Sequence, residues 1–342
     1  MFKNNHLSSI TILVHTGESL KIGYKHLLYW LPEFLKSGVN FGILVRKKDL
    51  YKKIKNEFRT ISIFLAQDSL EVEDSFNKLI NLKAIFYMSN SPNNIHLLRF
   101  NQYKHIFIAN ENYNRNMQAT KVLKAYDELW LQSENLIDRI KSKIESIDSM
   151  KIVKIGKPQL KNVISSNKKD SILFIFSVVD EVVIRSIQLM INYSIKKNMK
   201  IQFIFQISDK NINKFSKGIG MQLKEILSKS NVQYSIYTIF STELLKESCF
   251  ILCDLNSYNE NFIINNVPIC LYNSNKISSD IFLKDRFLPL EKVFLFSLFE
   301  ELQNYLISDA HEEVLDEYVN YYLGKKYIID GRFQKEILRV GL

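Results

Sequence analysis

The stretch from Cys249 to Tyr272, CFILCDLNSYNENFIINNVPICLY, decides how the chain is read. Phe250-Ile251-Leu252 is a short apolar run of the kind that forms a buried strand. Asp254, Asn256 and Ser257 make a polar corner behind it. Tyr258 to Asn265 reads as a helix, and Pro268 to Tyr272 as a second buried strand. Strand, polar turn, helix and strand is the form of a nucleotide or phosphate site in an open α/β sheet. Ligands there gather beyond the carboxyl ends of the strands, opposite a helix N-terminus. It is also the form of an ordinary βαβ unit in which Asp254 or Ser257 caps the helix.

Outward from this stretch the alternation continues. Strands are expected at Ile172 to Phe176, Ile201 to Phe205, Gln233 to Tyr237 and Ile269 to Tyr272, with helices that include Glu181 to Lys196 and Ile212 to Ser230. Upstream, the strands are Ile10 to Val14, Phe41 to Val45, Ile61 to Leu65, Ala84 to Met88, His105 to Ala109, Glu128 to Leu131 and Ile152 to Ile155. Helices lie at Leu20 to Lys36, Asp49 to Phe58 with Asp49 as a cap, Val72 to Leu82, Met117 to Ala125, and after Ser133 as N-cap. Short apolar strands alternating with helices imply parallel sheets covered on both faces.

Gly156-Lys157-Pro158 and the polar segment to Asp170 interrupt the alternation and mark a boundary. The expected domains are residues 1–156, a linker over 157–170, and residues 171–342 ending in helices at Leu290 to Ser308, His311 to Leu323 and Phe333 to Leu338. Two similar Rossmann-like α/β halves with a helical tail suggest the two-domain glycosyltransferase-B (GT-B) architecture, with its ligand cleft between the halves.

The chain has 342 residues, 46% hydrophobic and 24% charged, which is the balance of a globular protein with a sizeable core. No apolar run is long enough to span a bilayer, and the N-terminal run is too short for a signal peptide. A cytoplasmic protein is expected. The net charge of +10 suits phosphates or an anionic membrane surface. Its densest group, Lys47, Lys48, Lys52, Lys53 and Lys55, falls on a helix and reads as a solvated face. Nucleic-acid binding is not expected, since neither finger spacing nor an arginine-rich arm occurs. Cys249, Cys253 and Cys270 sit in or beside apolar strands as reduced thiols without companion metal ligands.

Several segments, in order, resemble the CDP-glycerol glycerophosphotransferase family of teichoic acid and capsule polymer synthesis. Tyr126-Asp127-Glu128-Leu129-Trp130, within His105 to Ile140, is similar to that family's Tyr-Asp-x-(Val/Ile)-Trp strand. Gly156-Lys157-Pro158 is similar to its Gly-(Arg/Lys)-Pro linker. Cys253-Asp254-Leu255-Asn256-Ser257 with Val267-Pro268 behind it resembles its Asp-x-Ser-Ser segment, and Tyr322-Leu323-Gly324 its tail. The resemblance implies a nucleotide-dependent transferase of surface polysaccharide. It would move a glycerol-phosphate-like or sugar group from a CDP-linked or nucleotide-sugar donor to a glycan or polyol-phosphate acceptor. No cofactor is expected, and the basic charge allows peripheral contact with the anionic inner face of the membrane as an alternative to a purely cytoplasmic location.

Two departures from the family stand out. Its catalytic His-Gly-Asp loop is here Asn110-Glu111-Asn112, and an amide cannot act as a base. Its second histidine falls in Gln206-Ile207-Ser208-Asp209. Either the chemistry has moved to other residues, or the chain is a catalytically inactive relative that binds or scaffolds.

If it has moved, Glu111 is the nearest titratable group and becomes a base where burial raises its pKa; otherwise it is a solvated loop residue. Arg115 in the same loop is a phosphate clamp or a surface arginine. His15, at the mouth of the first strand, is a second base candidate or a structural strand-end histidine. Glu18 orients it, or serves the next helix dipole. Asp254, Asn256 and Ser257 form the donor site, with Ser257 and the N–H groups behind it on phosphate and Asp254 fixing the turn. Lys157 helps from the linker or is solvated. His311 lacks a second histidine at helical spacing and is not a zinc signature.

Overall fold

The computed structural model describes residues 5–109, 120–164, 169–177, 180–205, 219–237, 241–274, 293–308 and 316–342. They form two parallel-sheet, Rossmann-like units. One comprises residues 1–159 and 324–342, the other residues 160–323.

The first sheet has seven strands: β1 (Ile12–Thr16), β2 (Phe41–Val45), β3 (Ser62–Leu65), β4 (Ala84–Tyr87), β5 (Lys104–Ile108), β6 (Glu128–Leu131) and β7 (Lys151–Lys154). Their order is β3-β2-β1-β4-β5-β6-β7, and every pairing is parallel. The order reverses between β1 and β4, which opens a crevice at their carboxyl ends. Both faces of this sheet are buried, as the apolar runs require. Ile12 and Val14 enter the core on one side, with Trp30 and Phe34 of the helix Leu20–Lys36. Leu13 enters the core on the other, with Val72, Phe76, Leu136 and Ile140. Leu27, Trp30, Leu31 and Phe34 recur at helical spacing and make one buried stripe. Gly38, at φ +72°, stops that helix in the left-handed conformation.

The second sheet has six strands: β8 (Ser171–Phe176), β9 (Lys200–Phe205), β10 (Tyr234–Tyr237), β11 (Ser248–Asp254), β12 (Ile269–Tyr272) and β13 (Val293–Phe296). They run β10-β9-β8-β11-β12-β13, all parallel, with the reversal between β8 and β11. Phe174, Phe176, Phe203, Phe250 and Leu252 pack there under Ile187 and Met190 of the helix Glu181–Lys197.

Four expectations are corrected. Tyr258 to Asn265 is not an α-helix capped by Asp254 or Ser257; it is a 3-10 segment, Glu260–Asn265, capped by Asn259 through the Asn261 N–H. Leu290 to Ser308 is not one helix. Val293-Phe-Leu-Phe296 pairs with β12 as the sheet's last strand, and the helix is Phe299–Ser308. Asp49 lies inside the first turn of the helix Lys48–Glu57 rather than at its cap.

Finally, the tail splits. Residues 324–342 pack with the first unit instead of closing the second. The helix Arg332–Gly341 has Phe333, Ile337 and Val340 on one face, and these enter the core of the first sheet. The Phe333 ring stacks on Trp30 at 5.2 Å and meets Trp130 edge-on at 6.0 Å. Arg339 of the same helix donates to Glu128 of β6 at 2.8 Å. Among the described residues no helix is long and apolar enough to cross a membrane.

Candidate functional site

Asp254 ends β11 at the reversal point of the second sheet, and it is 3% exposed. Its Oδ2 accepts from both the backbone N–H and the hydroxyl of Ser177, just past β8. Its Oδ1 accepts from the Ser257 N–H at 2.7 Å. The carboxylate therefore ties the β8 and β11 mouths together, which is the turn-fixing role expected of it. The same bonds occupy the Ser257 N–H, so that group does not face an anion. The segment behind it is a six-residue 3-10 turn, which lacks the dipole of an α-helix N-terminus. What remains for a ligand is the Ser257 hydroxyl. It is buried, and among the described residues no group pairs with its Oγ. Asn256, beside it, is exposed. Ser177 escaped the reading of the sequence because nothing local marks it; the β8–β11 adjacency alone brings it to Asp254.

His15 stands at the corresponding place in the first sheet, near the end of β1 and beside the β1–β4 reversal. It is 1% exposed. Its Nδ1 donates to the Leu44 carbonyl at 3.0 Å, which leaves Nε2 as an acceptor to which no described residue donates, with the Asn94 side chain beside the ring. Burial, reinforced by the nearby Arg46 charge, lowers the His15 pKa to about 3 against the opposing Leu44 and Asn94 bonds. The imidazole is thus neutral at physiological pH. Leu44, not Glu18, orients the ring; the Glu18 N–H instead reaches Thr16 Oγ1 at 3.4 Å. Asn94 stands next to it, donating to the Ser89 carbonyl and the Tyr126 hydroxyl, each at 2.8 Å.

Glu111 and Arg115 lie outside the described residues, as do Gln206 to Asp209 and His311. Lys157 is buried rather than solvated. The lysines of the helix Lys48–Glu57 are exposed, with Lys53 paired to Glu57 at 3.6 Å, as expected of a solvated face. The three cysteines are free, and burial raises the pKa of each. Among the described residues no group of three His, Cys, Asp or Glu gathers as a metal centre. The structure also brings Gly156 and Gly324 together: a Cβ on Gly324 would lie 2.9 Å from Gly156 Cα.

No protein-family model matches the chain, and no curated protein sequence matches it. Solved structures do. The UDP-GlcNAc 2-epimerase of Methanocaldococcus jannaschii superimposes with a TM-score of 0.53 at 14% identity, over 97% of this chain and 98% of that one. A variant of the wall teichoic acid polymerase TagF superimposes with a TM-score of 0.53 at 10% identity, over 98% of this chain and 91% of that one. At such identities the likeness is one of fold, and the fold is GT-B.

Proposed function

We propose that the protein is a nucleotide-dependent transferase of bacterial surface glycan synthesis. It moves a sugar or a glycerol-phosphate-like group from a nucleotide-linked donor to an acceptor hydroxyl. The observation that carries this reading is the buried, unpaired Ser257 hydroxyl at the β8–β11 reversal, the place where open α/β sheets hold their ligands. The fold supports it, since one protein of this shape is an epimerase of UDP-GlcNAc and another a polymerase of wall teichoic acid. So does the resemblance of the segments around Trp130, Gly156, Asp254 and Gly324 to the CDP-glycerol glycerophosphotransferases.

In this reading the donor phosphates take the Ser257 hydroxyl as a hydrogen-bond donor, with Asp254 holding the turn rigid. The acceptor hydroxyl attacks the anomeric carbon or phosphorus, and the nucleotide leaves. His15 Nε2 is the base assigned to the attacking hydroxyl's proton. Glu111 is the alternative base, and Arg115 the clamp on the leaving phosphate.

A second reading is a non-catalytic GT-B-fold binding or scaffold partner. It is favoured by the depressed basicity of His15 and by the loss of the Ser257 N–H to Asp254. A thermal-shift screen against CDP, CMP, UDP, GDP and their glycerol, ribitol and sugar conjugates separates the two. Ligand binding to the folded state raises stability with the logarithm of concentration over Kd. A selective rise with one nucleotide supports the transferase and identifies its donor. No rise at millimolar concentration supports the second reading.

A further inference from the structure

Arg46 follows β2 at the carboxyl mouth of the first sheet and is 3% exposed. Its Nη2 donates to the Gln67 carbonyl at 3.1 Å and to His96 Nδ1 at 2.8 Å. Its Nε and Nη1 are buried and meet no acceptor among the described residues. The nearest acids are committed elsewhere. Asp68 accepts from the Glu71 N–H to cap the helix Ser69–Phe76, and Glu71 accepts from the Gln67 N–H. Both reach Arg46 only through space. A guanidinium stays charged at any physiological pH, and burying one without a paired anion costs several kcal/mol.

Among the described residues, three further buried polar atoms at this mouth make no close hydrogen bond: His15 Nε2 near the end of β1, with the Asn94 side chain beside it, and Ser89 Oγ and Asn94 Oδ1 after β4. They belong to one cluster. Asn94 donates to the Ser89 carbonyl, and Arg46 and Asn94 both act on the His15 ring. Buried polar groups are paired in more than about nine cases in ten, so four residues with orphaned atoms at one crevice point to a ligand. Their chemistry is complementary. Arg46 offers Nε–H and Nη1–H on separate edges of its guanidinium, each able to take a phosphate or carboxylate oxygen, while Nη2 is already used by Gln67 and His96. His15, fixed as the Nδ1–H tautomer by Leu44, offers only a lone pair and so takes a hydroxyl and rejects an anionic oxygen.

We propose that this crevice binds an organic oxyanion that also bears a hydroxyl, with an oxyanion oxygen on Nη1 of Arg46 and the hydroxyl donating to Nε2 of His15. The oxyanion is a phosphate monoester or a carboxylate. This deepens the transferase reading, on which its assignment as the acceptor rests. Arg46 then selects the charged end of the acceptor and His15 the end that reacts.

The test is a calorimetric titration of the full chain with glycerol 3-phosphate, glycerate, glycerol and inorganic phosphate. At least one of the first two saturates, which tells phosphate from carboxylate; glycerol does not bind at the same concentration, and inorganic phosphate binds at least fivefold more weakly. Arg46→Met weakens the oxyanion at least tenfold while melting no lower than the parent. Failure of both oxyanions to bind the parent, or parent-like affinity in Arg46→Met, overturns the proposal. Should that variant not fold, the parent still decides: the His15 ring resonances move as glycerol 3-phosphate or glycerate saturates, and their standing still overturns it. Nucleotide binding is read separately. A nucleotide shift without oxyanion binding defeats this inference alone, and oxyanion binding without any nucleotide shift defeats the transferase reading alone.

Discussion

At the scale of single residues, burial sets both stability and chemistry. The unfolded chain protonates His15 near pH 6.5, whereas the folded chain does so only near pH 3, because burial and then the Arg46 charge disfavour the imidazolium. Between those values the unfolded state binds the extra proton, so stability is full above about pH 6.5 and falls as pH drops towards 3. His26, lowered by burial to about 4, adds to the same slope. Melting curves from pH 7 to 4 should show this loss, on the order of a few kcal/mol, and His15→Gln should flatten it. In a turnover assay His15→Ala should cost at least about tenfold if the ring is the base. Ser257→Ala makes a separate case. It removes a buried hydroxyl that has no partner, so the melting temperature should hold or rise. Nucleotide affinity should fall by about fivefold, the worth of one hydrogen bond of about 1 kcal/mol. A drop in stability with unchanged nucleotide affinity would assign Ser257 to packing.

At the scale of elements, two crossings of the chain meet at a pair of glycines. Gly156 and Gly324 both sit at φ +67°. A Cβ on Gly156 would lie 2.8 Å from the Gly324 carbonyl oxygen, and one on Gly324 would collide with the Gln132 carbonyl. Gly324→Ala therefore meets both backbone strain and a clash, and should cost at least about 2 kcal/mol in chemical denaturation. These are the glycines of the Gly-Lys-Pro and Tyr-Leu-Gly motifs. The motifs were visible in the sequence; their mutual contact was not, since 168 positions separate them. The Glu128 carboxylate of β6 makes the complementary point. Burial raises its pKa, yet hydrogen bonds from Trp130, Lys151, Arg339 and Lys104 bring it down to about 2. Its contribution is present above about pH 4.5 and is lost as pH falls through about 2, below the histidine window.

At the scale of the molecule, the first unit is discontinuous: residues 1–159 need residues 324–342 to cover one face of their sheet. A chain cut to residues 1–159 exposes Trp30 and Trp130 where Phe333 packed, and should bind hydrophobic dyes and aggregate. Joining residues 1–159 to 324–342 through a short linker should restore cooperative melting, because Gly156 and Gly324 are already in contact. Within the full chain, Phe333→Ala should cost about 3–5 kcal/mol.

The sequence by itself determined the two α/β units, nearly every strand, and the turn-fixing place of Asp254. Apolar runs bounded by polar corners are local, and a parallel sheet buried on both faces needs nothing else. It also placed His15 at a strand mouth. Local pattern misled where apolar content was ambiguous in period. Val293 to Phe296 could continue a helix until β12 offered it a pairing edge, and Tyr258 to Asn265 was too short to settle its own helix type. Only the tertiary structure decided which strand mouths adjoin. That adjacency gives Ser177 to Asp254, leaves the Ser257 hydroxyl unpaired, sets Arg46 beside His15, and lays the last helix on the first sheet. Each depends on groups far apart in the chain meeting in a low-dielectric interior, where a bond made or left unmade carries its full energetic weight.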